Sequence, residues 1–385
     1  MDTRQGISRP TDQVPGPFAN TADRVDLKDL LPEELATLVR HLGQKEYRVS
    51  QLLSWMYGRG VADLDAMTDL SKAFREELRK RAWVSRLEEV ARQESGGGQA
   101  IKFLFALPSG ERVESVLIAD RRRRTACLSS QVGCAVGCRF CATGRMGFVR
   151  DLRASQIVDQ LLQIDQALAA RGERVTNVVM MGMGEPLLNY EQVVRAVRLM
   201  RLEHGPAIGG RRITVSTSGY LPGIQRLAQE DLNLGLAISL NATTDEVRSQ
   251  LMPIGRQYRI ADLLAAARQF HEVRGRRVTF EYVLLAGIND ADEDAQRLAA
   301  LTRDVPCKLN LIPYNELHPD PPYRRSTPER IARFRQLLES LSPRAVTLRE
   351  SRGQDIDAAC GQLYQSPPHR QPGRRLAAAP VPAPS

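Results

Sequence analysis

The sequence predicts an α/β fold: an open, partial parallel βα barrel of about six units, preceded by a small helical domain and a β-hairpin extension. Three observations predict it. From Thr125 onward, short strand-like runs alternate with helix-periodic stretches, the rhythm of repeated βα units. Before Gly96-Gly97-Gly98, which breaks the chain, apolar residues recur at helical spacing. The units are fewer than the eight that close a barrel. A doubly wound open sheet is the alternative topology.

The elements follow in order. Residues 1–24 read as a loose polar arm. Leu27 to about Leu87 is helical in pattern, with apolar clusters at Leu52, Leu53, Trp55 and Met56 and at Phe74, Leu78 and Trp83. Ser71 stands where the helix through Arg81 needs a cap. This is a helical accessory domain over 25–95. Ile101–Leu107 and Arg112–Ile118, joined by Pro108-Ser109-Gly110, form a hairpin adaptor over 96–122. Within it Glu114 shares a face with Val116 and Ile118. A carboxylate there is either turned to solvent at an edge or deliberately desolvated. The core over 123–363 carries strands at Thr125–Leu128, Asn177–Met181, Arg212–Val215, Gly235–Leu240, Val278–Val283, Lys308–Leu311 and Val346–Leu348. Helical spacing links Ile157, Leu161, Ile164 and Leu168 behind a Ser155 cap, and later Leu263, Leu264, Ala267 and Phe270. Residues 364–385, rich in Pro, Ala and Arg, read as a disordered tail.

Composition bounds the function. A hydrophobic fraction of 42% over 385 residues suits a globular protein with a real core. No apolar run of about 18 residues occurs, so no membrane partner is expected. Met1–Asn20 lacks the apolar stretch of a secretory signal. Six cysteines in so long a chain, three of them crowded together, are no extracellular disulfide framework. A cytoplasmic monomer is the expectation. The net charge of +9 favours an anionic partner, nucleic acid being the commonest.

Cys134, Cys138 and Cys141 supply three thiolates at CxxxCxxC spacing. A four-iron cubane held by three of them keeps one iron open, as a metal site that does chemistry requires. The same thiols could hold zinc with a fourth ligand, for which Cys127 is the candidate. In βα barrels, chemistry sits at the C-terminal ends of the strands. The cysteine loop follows the first such strand, and Gly182-Met183-Gly184-Glu185-Pro186 follows the second. Ser216-Thr217-Ser218-Gly219 follows the third, Ser239, Leu240 and Asn241 end the fourth, and Asn315 follows Lys308–Leu311. A single such loop is usually just a turn; several converging on one rim mark a site.

The cysteine motif resembles the signature of the radical S-adenosylmethionine (SAM) enzymes. The resemblance implies a barrel of the radical SAM type and a [4Fe–4S] cluster whose open iron chelates SAM. It also implies reductive cleavage of the sulfonium to a 5′-deoxyadenosyl radical. The rim then suits a zwitterionic ligand carrying an adenosine: Gly184 for close backbone approach, Glu185 for the ammonium, Ser216, Ser239, Leu240 and Asn241 for ribose or carboxylate, and Asn315 for the adenine edge.

Further stretches narrow the resemblance: Gln51–Tyr57, Met67–Ser71, Cys127–Cys134, Met181–Asn189, Leu251–Ile254, Phe280–Val283, Asn310–Pro313 and Ser351–Gln362. From about Asp26 to Leu363 the chain is similar to the RlmN family of dual-specificity adenine-C2 methyltransferases, which act on ribosomal and transfer RNA. The resemblance implies that Cys360 is methylated by one SAM and that a second SAM yields the radical that activates this methyl group. It implies that Cys127 then forms a transient disulfide with Cys360, and that Glu114 accepts the proton. The implied partners are rRNA, tRNA and an electron donor such as flavodoxin or ferredoxin. Cys307 matches no role and reads as a structural thiol. Asn241 stands where many relatives carry His, and Glu316–Arg325, with Asp320-Pro321-Pro322, is unusual. Arg121-Arg122-Arg123-Arg124 is either a solvated face or a phosphate contact. Two other readings stay open: methylation at carbon 8, as in the related Cfr branch, and a non-catalytic RNA-binding protein with structural zinc or a redox-sensing cluster.

Overall fold

The computed structural model describes residues 24–317 and 323–364. Most of the expected N-terminal arm, Asp320-Pro321-Pro322 and the tail beyond Tyr364 lie outside the described residues. The chain divides into two compact units, one up to Ser85 and one from Arg86.

The first unit holds β1 (Val25–Asp26), α1 (Pro32–His41), α2 (Tyr47–Leu53), α3 (Lys72–Arg81) and β2 (Ala82–Trp83), with β1 and β2 paired in parallel. Pro32 opens α1, where its missing N–H costs nothing, and the Leu31 N–H donates to the Glu34 carboxylate at 2.8 Å. Leu35, Leu38 and Val39 are its buried stripe. Ser71 caps α3 as expected, accepting the Phe74 N–H at 3.3 Å. Phe74 and Leu78, one turn apart, are buried.

The helical pattern was expected to reach Leu87 and the domain to reach 95. Instead α3 stops at Arg81, and Glu88–Glu94 forms a strand, β3. That segment has few apolar residues. It is an edge strand held by backbone pairing to its neighbour, which overrides its weak β-propensity.

The second unit continues with β4 (Ala100–Ala106), β5 (Arg112–Asp120), β6 (Arg123–Cys127), β7 (Gln131–Gly133), α4 (Ala142–Arg145), β8 (Phe148–Asp151), α5 (Ala154–Ala169) and β9 (Asn177–Met180). Next come α6 (Tyr190–Met200), β10 (Ile213–Thr217), α7 (Leu221–Gln229), β11 (Gly235–Ser239), α8 (Asp245–Leu251), α9 (Ile260–Arg274) and β12 (Val278–Leu284). The last are α10 (Asp292–Thr302), β13 (Cys307–Pro313), α11 (Pro328–Leu341) and β14 (Ala345–Leu348). A ten-stranded sheet runs in the order β14-β13-β12-β11-β10-β9-β6-β5-β4-β3. Within this sheet every ladder from β6 across β9 to β14 is parallel, the open α/β arrangement that the alternating pattern predicts, while β7 and β8 form a separate antiparallel pair. The expected hairpin is larger than its two strands. β3 to β6 form an antiparallel meander, and β6 joins it to the parallel strands.

Two local readings change. α5 begins at Ala154, so Ser155 lies inside the helix, and the Gln156 side chain caps it by accepting the Arg153 N–H at 3.1 Å. Arg121–Arg124 lies at the start of β6, the strand end opposite Cys127. Five strand residues span about 16 Å, so the run is not on the cysteine rim. Arg121, Arg122 and Arg123 are exposed, and Arg124 pairs with Glu173. Among the described residues, no helix is long and apolar enough to cross a membrane.

Candidate active site

The cysteine loop leaves β6 and is laced at once to the loop after β9. The N–H groups of Ser130 and Gln131 donate to the Met183 carbonyl at 2.8 and 3.1 Å. The Met183 N–H donates to Ser129 Oγ at 2.8 Å, and the Glu185 N–H donates to Gln131 Oε1 at 2.7 Å. Gly184 makes this closure possible. Its φ is +103°, and a Cβ there would stand 2.6 Å from Gln131 Cβ. Gly184→Ala therefore pushes the two loops apart. We expect SAM affinity of the iron-loaded protein, read by equilibrium dialysis, to fall at least about tenfold from the backbone strain alone; unchanged binding would refute this lacing.

Glu185 is buried within that junction. Its Oε2 accepts both the N–H and the Oγ–H of Ser218 at 2.7 Å, and its Oε1 accepts the Leu187 N–H at 3.1 Å. Burial raises its carboxyl, and the Ser218 bonds oppose that rise. Its charge is felt at Cys134 and Cys138. The Thr217 side chain adds a further hydrogen bond to this carboxylate.

Burial pushes the Cys134 thiol up to about 12 and raises Cys138 and Cys141. Backbone N–H groups of Val136 and Gly137 at Cys134, and of Gly144 and Thr143 at Cys141, pull the other way by favouring the thiolates. Half-buried thiols with amides already aimed at sulfur are poised to lose their protons to a metal. Among the described residues, no three His, Cys, Asp or Glu side chains close around a single ion. The donor set of three thiols beside one buried carboxylate fits a cluster held at three corners.

Residues 351–364 return across the same rim. The Ala142 N–H donates to the Gly361 carbonyl at 2.7 Å. Thr143 Oγ1 donates to the Leu363 carbonyl at 2.7 Å, and the Tyr364 N–H donates to Glu114 Oε2 at 2.9 Å. Asn315 clasps the segment: its Nδ2 donates to Ser351 Oγ at 2.9 Å and to the Cys360 carbonyl at 3.0 Å, and its Oδ1 accepts from Gln354 at 2.7 Å. Cys360 is open to solvent on one side, yet the protein around it pushes its thiol up to about 12. Cys127 is buried and pushed up to about 11. The Arg349 guanidinium opposes both rises and faces Glu281 as well.

Cys134, Cys138, Cys141, Glu185, Cys127, Cys360, Glu114 and Asn315 are thus gathered at one rim. Glu114 is fully buried, with Oε1 3.3 Å from Lys102 Nζ, so it is the desolvated carboxylate and not an edge residue. Asn315 spends its amide on the Cys360 segment instead of facing outward. Ser216 is half-buried at the end of β10, but it is Ser218 that reaches Glu185. Ser239 is half-buried at the end of β11. Leu240 is buried, and its N–H goes to the Glu281 carbonyl at 2.9 Å. Asn241 is turned into the fold at φ +56°, a conformation Asn tolerates. Its Oδ1 accepts the Val283 N–H at 2.9 Å, and its carbonyl accepts from Asn289 at 2.8 Å. Cys307 is a buried thiol in β13, as expected.

Sequence reasoning missed Lys102, Arg248, Glu281 and Arg349, and it named Ser218 only as part of its rim loop. Two of them carried a signal. Glu281 interrupts an apolar strand between Phe280 and Tyr282, and Arg349 directly follows β14, on the side of the sheet where the other strand ends carry the site.

A parallel βα sheet whose first parallel strand feeds a three-cysteine loop, with a polar glycine loop laced to it from the next, defines a radical SAM protein. Residues 128–299 match the Radical SAM superfamily, and residues 25–84 match the ribosomal RNA large subunit methyltransferase N-terminal domain. The dual-specificity RNA methyltransferase RlmN of Anaeromyxobacter dehalogenans is 47% identical over 93% of this chain and 96% of its own length. The probable RlmN of Symbiobacterium thermophilum is 45% identical over 91% of this chain and 94% of its own. A crystal structure of a radical SAM methyltransferase from Sphaerobacter thermophilus superposes with a TM-score of 0.85 at 46% identity, over 89% of this chain and all of that one. The chain belongs to the RlmN family.

Proposed function

We propose that this chain methylates carbon 2 of adenine in ribosomal and transfer RNA, with Cys360 as the carrier of the new carbon. One observation carries the reading: the Cys360 segment is fastened to the cysteine loop through Ala142 and Thr143 and to Glu114 through Tyr364. The carbon carrier, the loop that holds the cluster and the buried carboxylate are therefore within one site. The RlmN relatives, named as RNA methyltransferases, support the substrate class.

The cofactors are a [4Fe–4S] cluster on Cys134, Cys138 and Cys141 and SAM, which together supply a carbon-centred radical by one-electron cleavage of the sulfonium. Two SAM molecules serve each turnover. The Cys360 sulfur takes a methyl group from the first in a polar displacement, aided by the nearby Arg349 cation, which favours the thiolate. The methyl then gives one hydrogen atom to that radical, its carbon joins C2 of the adenine, and the adduct would pass its surplus electron back to the cluster. Carbon 2 is too electron-poor to take a methyl cation directly. Glu114, desolvated beside Lys102, accepts the proton that C2 gives up. Cys127 attacks the Cys360 sulfur, the sulfur–carbon bond breaks with its electron pair on the carbon, that carbon takes a proton to complete the methyl group, and the disulfide left behind is opened by a reductant. The target base leaves its stack to reach this rim, and the helical unit grips folded RNA by shape. A flavodoxin- or ferredoxin-type donor supplies the electron, and the cytoplasm is the setting for such a monomer.

Nucleoside mass spectrometry of rRNA and tRNA from cells lacking this chain tests the substrate. Loss of 2-methyladenosine from both is expected. Loss of 8-methyladenosine, or no loss, would overturn the assignment.

A further inference from the structure

Arg248, on α8, is the largest of the fully buried side chains and is 0% exposed. Its Nη2 donates to the Ser218 carbonyl at 2.6 Å and approaches the Ser239 carbonyl at 3.5 Å, and its Nη1 donates to the Tyr258 carbonyl at 3.3 Å. Its Nε is buried without a hydrogen-bond partner. All three partners are neutral. Burying a cation whose hydrogen bonds go only to neutral carbonyls is costly, and a fold retains one where something anionic comes to lie beside it.

The surroundings say where. Two glycines make the slot. A Cβ at Gly219, whose φ is +105°, would stand 2.8 Å from Nη2, and one at Gly255 would stand 3.2 Å from Nη1. α8 is seated on the cysteine loop through the Arg139 N–H, which donates to the Leu251 carbonyl at 3.0 Å. Ser218, whose carbonyl the guanidinium holds, is also the residue that grips Glu185. The charged groups acting on Arg248 are Cys138 and Asp245. Burial lowers its guanidinium only to about 10, so it stays charged at neutral pH.

We propose that Arg248 is the resident cation of the cluster site, a positioning and tuning residue that makes the cluster easier to reduce. The inference rests on the cluster reading given above. Net charge, hydrogen bonding and solvent exposure set the potentials of such clusters. A fixed positive charge in a low-dielectric setting favours the state carrying one more electron.

The test uses full-length protein loaded with iron and sulfide under anaerobic conditions. Metal content is measured first, so that failure of the cluster reading is seen separately. The potential is then read by EPR-monitored titration with dithionite, without SAM. In R248Q the reduced-to-oxidised ratio at a fixed ambient potential should fall about tenfold, equal to about 59 mV for one electron. R248K keeps the charge and should restore most of the shift. D245N removes the carboxylate that partly offsets Arg248 while keeping the acceptor for the Ile260 N–H. It should shift the ratio the opposite way, and it decides the matter even where R248Q fails to load. Cluster-loaded R248Q with an unchanged potential overturns the proposal, as does D245N with no shift or a downward one. Weaker SAM binding at unchanged potential would assign Arg248 to the ligand instead.

Discussion

Cys360→Ala is expected to lower RNA methylation by at least about 10³-fold, the scale on which loss of an obligate nucleophile acts. SAM binding, and SAM cleavage to 5′-deoxyadenosine in the presence of reductant, should survive. The separation follows from the geometry. Cys360 is not one of the three thiols of the CxxxCxxC loop, and its segment is held by backbone and by Asn315, bonds that the substitution leaves in place. Product RNA and 5′-deoxyadenosine are measured in the same reaction by liquid chromatography and mass spectrometry. Normal methylation would remove Cys360 from the chemistry. Loss of both activities would mean that its role is to build the site.

The second large effect is expected at Cys127. Here Cys127→Ala should leave the carbon-joining step intact and block release, so that RNA accumulates in covalent linkage to Cys360. The two thiols share one cation, Arg349, and the charge of Cys127 is felt at Cys360. That is the arrangement a resolving cysteine needs, because its thiolate must form close to the sulfur it attacks. Denaturing gels followed by nuclease digestion and peptide mapping should show the Cys360 peptide carrying a modified adenosine. Recovery of free, unmodified RNA alone would count against the resolving role.

Much of this was legible in the chain. Seven parallel strands announce themselves because each is a short apolar run between helical stretches, and their ends fall within about two residues of the expected positions. The desolvated Glu114 was legible from alternation in β5, although alternation cannot tell an edge from a core. β3 was not legible: Glu88–Glu94 is polar, and its strand conformation comes from the backbone of β4. The rim loops were legible as a group but not one by one. Asn241 and Asn315 have the same side chain at similar places in the βα rhythm. One is absorbed by Val283 and Met252, the other by Ser351, Gln354 and Cys360, through contacts that depend on tertiary folding. Arg248 is a single arginine in polar surroundings, and only the packing reveals it as a buried cation.

The most direct test follows the carbon. Protein whose Cys360 has been methylated with isotopically labelled SAM is isolated, freed of that SAM, and given unlabelled SAM, reductant and RNA for a single turnover. The account predicts that the first methyl group appearing on adenine C2 carries the label, and that the Cys360 peptide loses it in equal amount. A first product built from the unlabelled SAM, with the label still on Cys360, would contradict it.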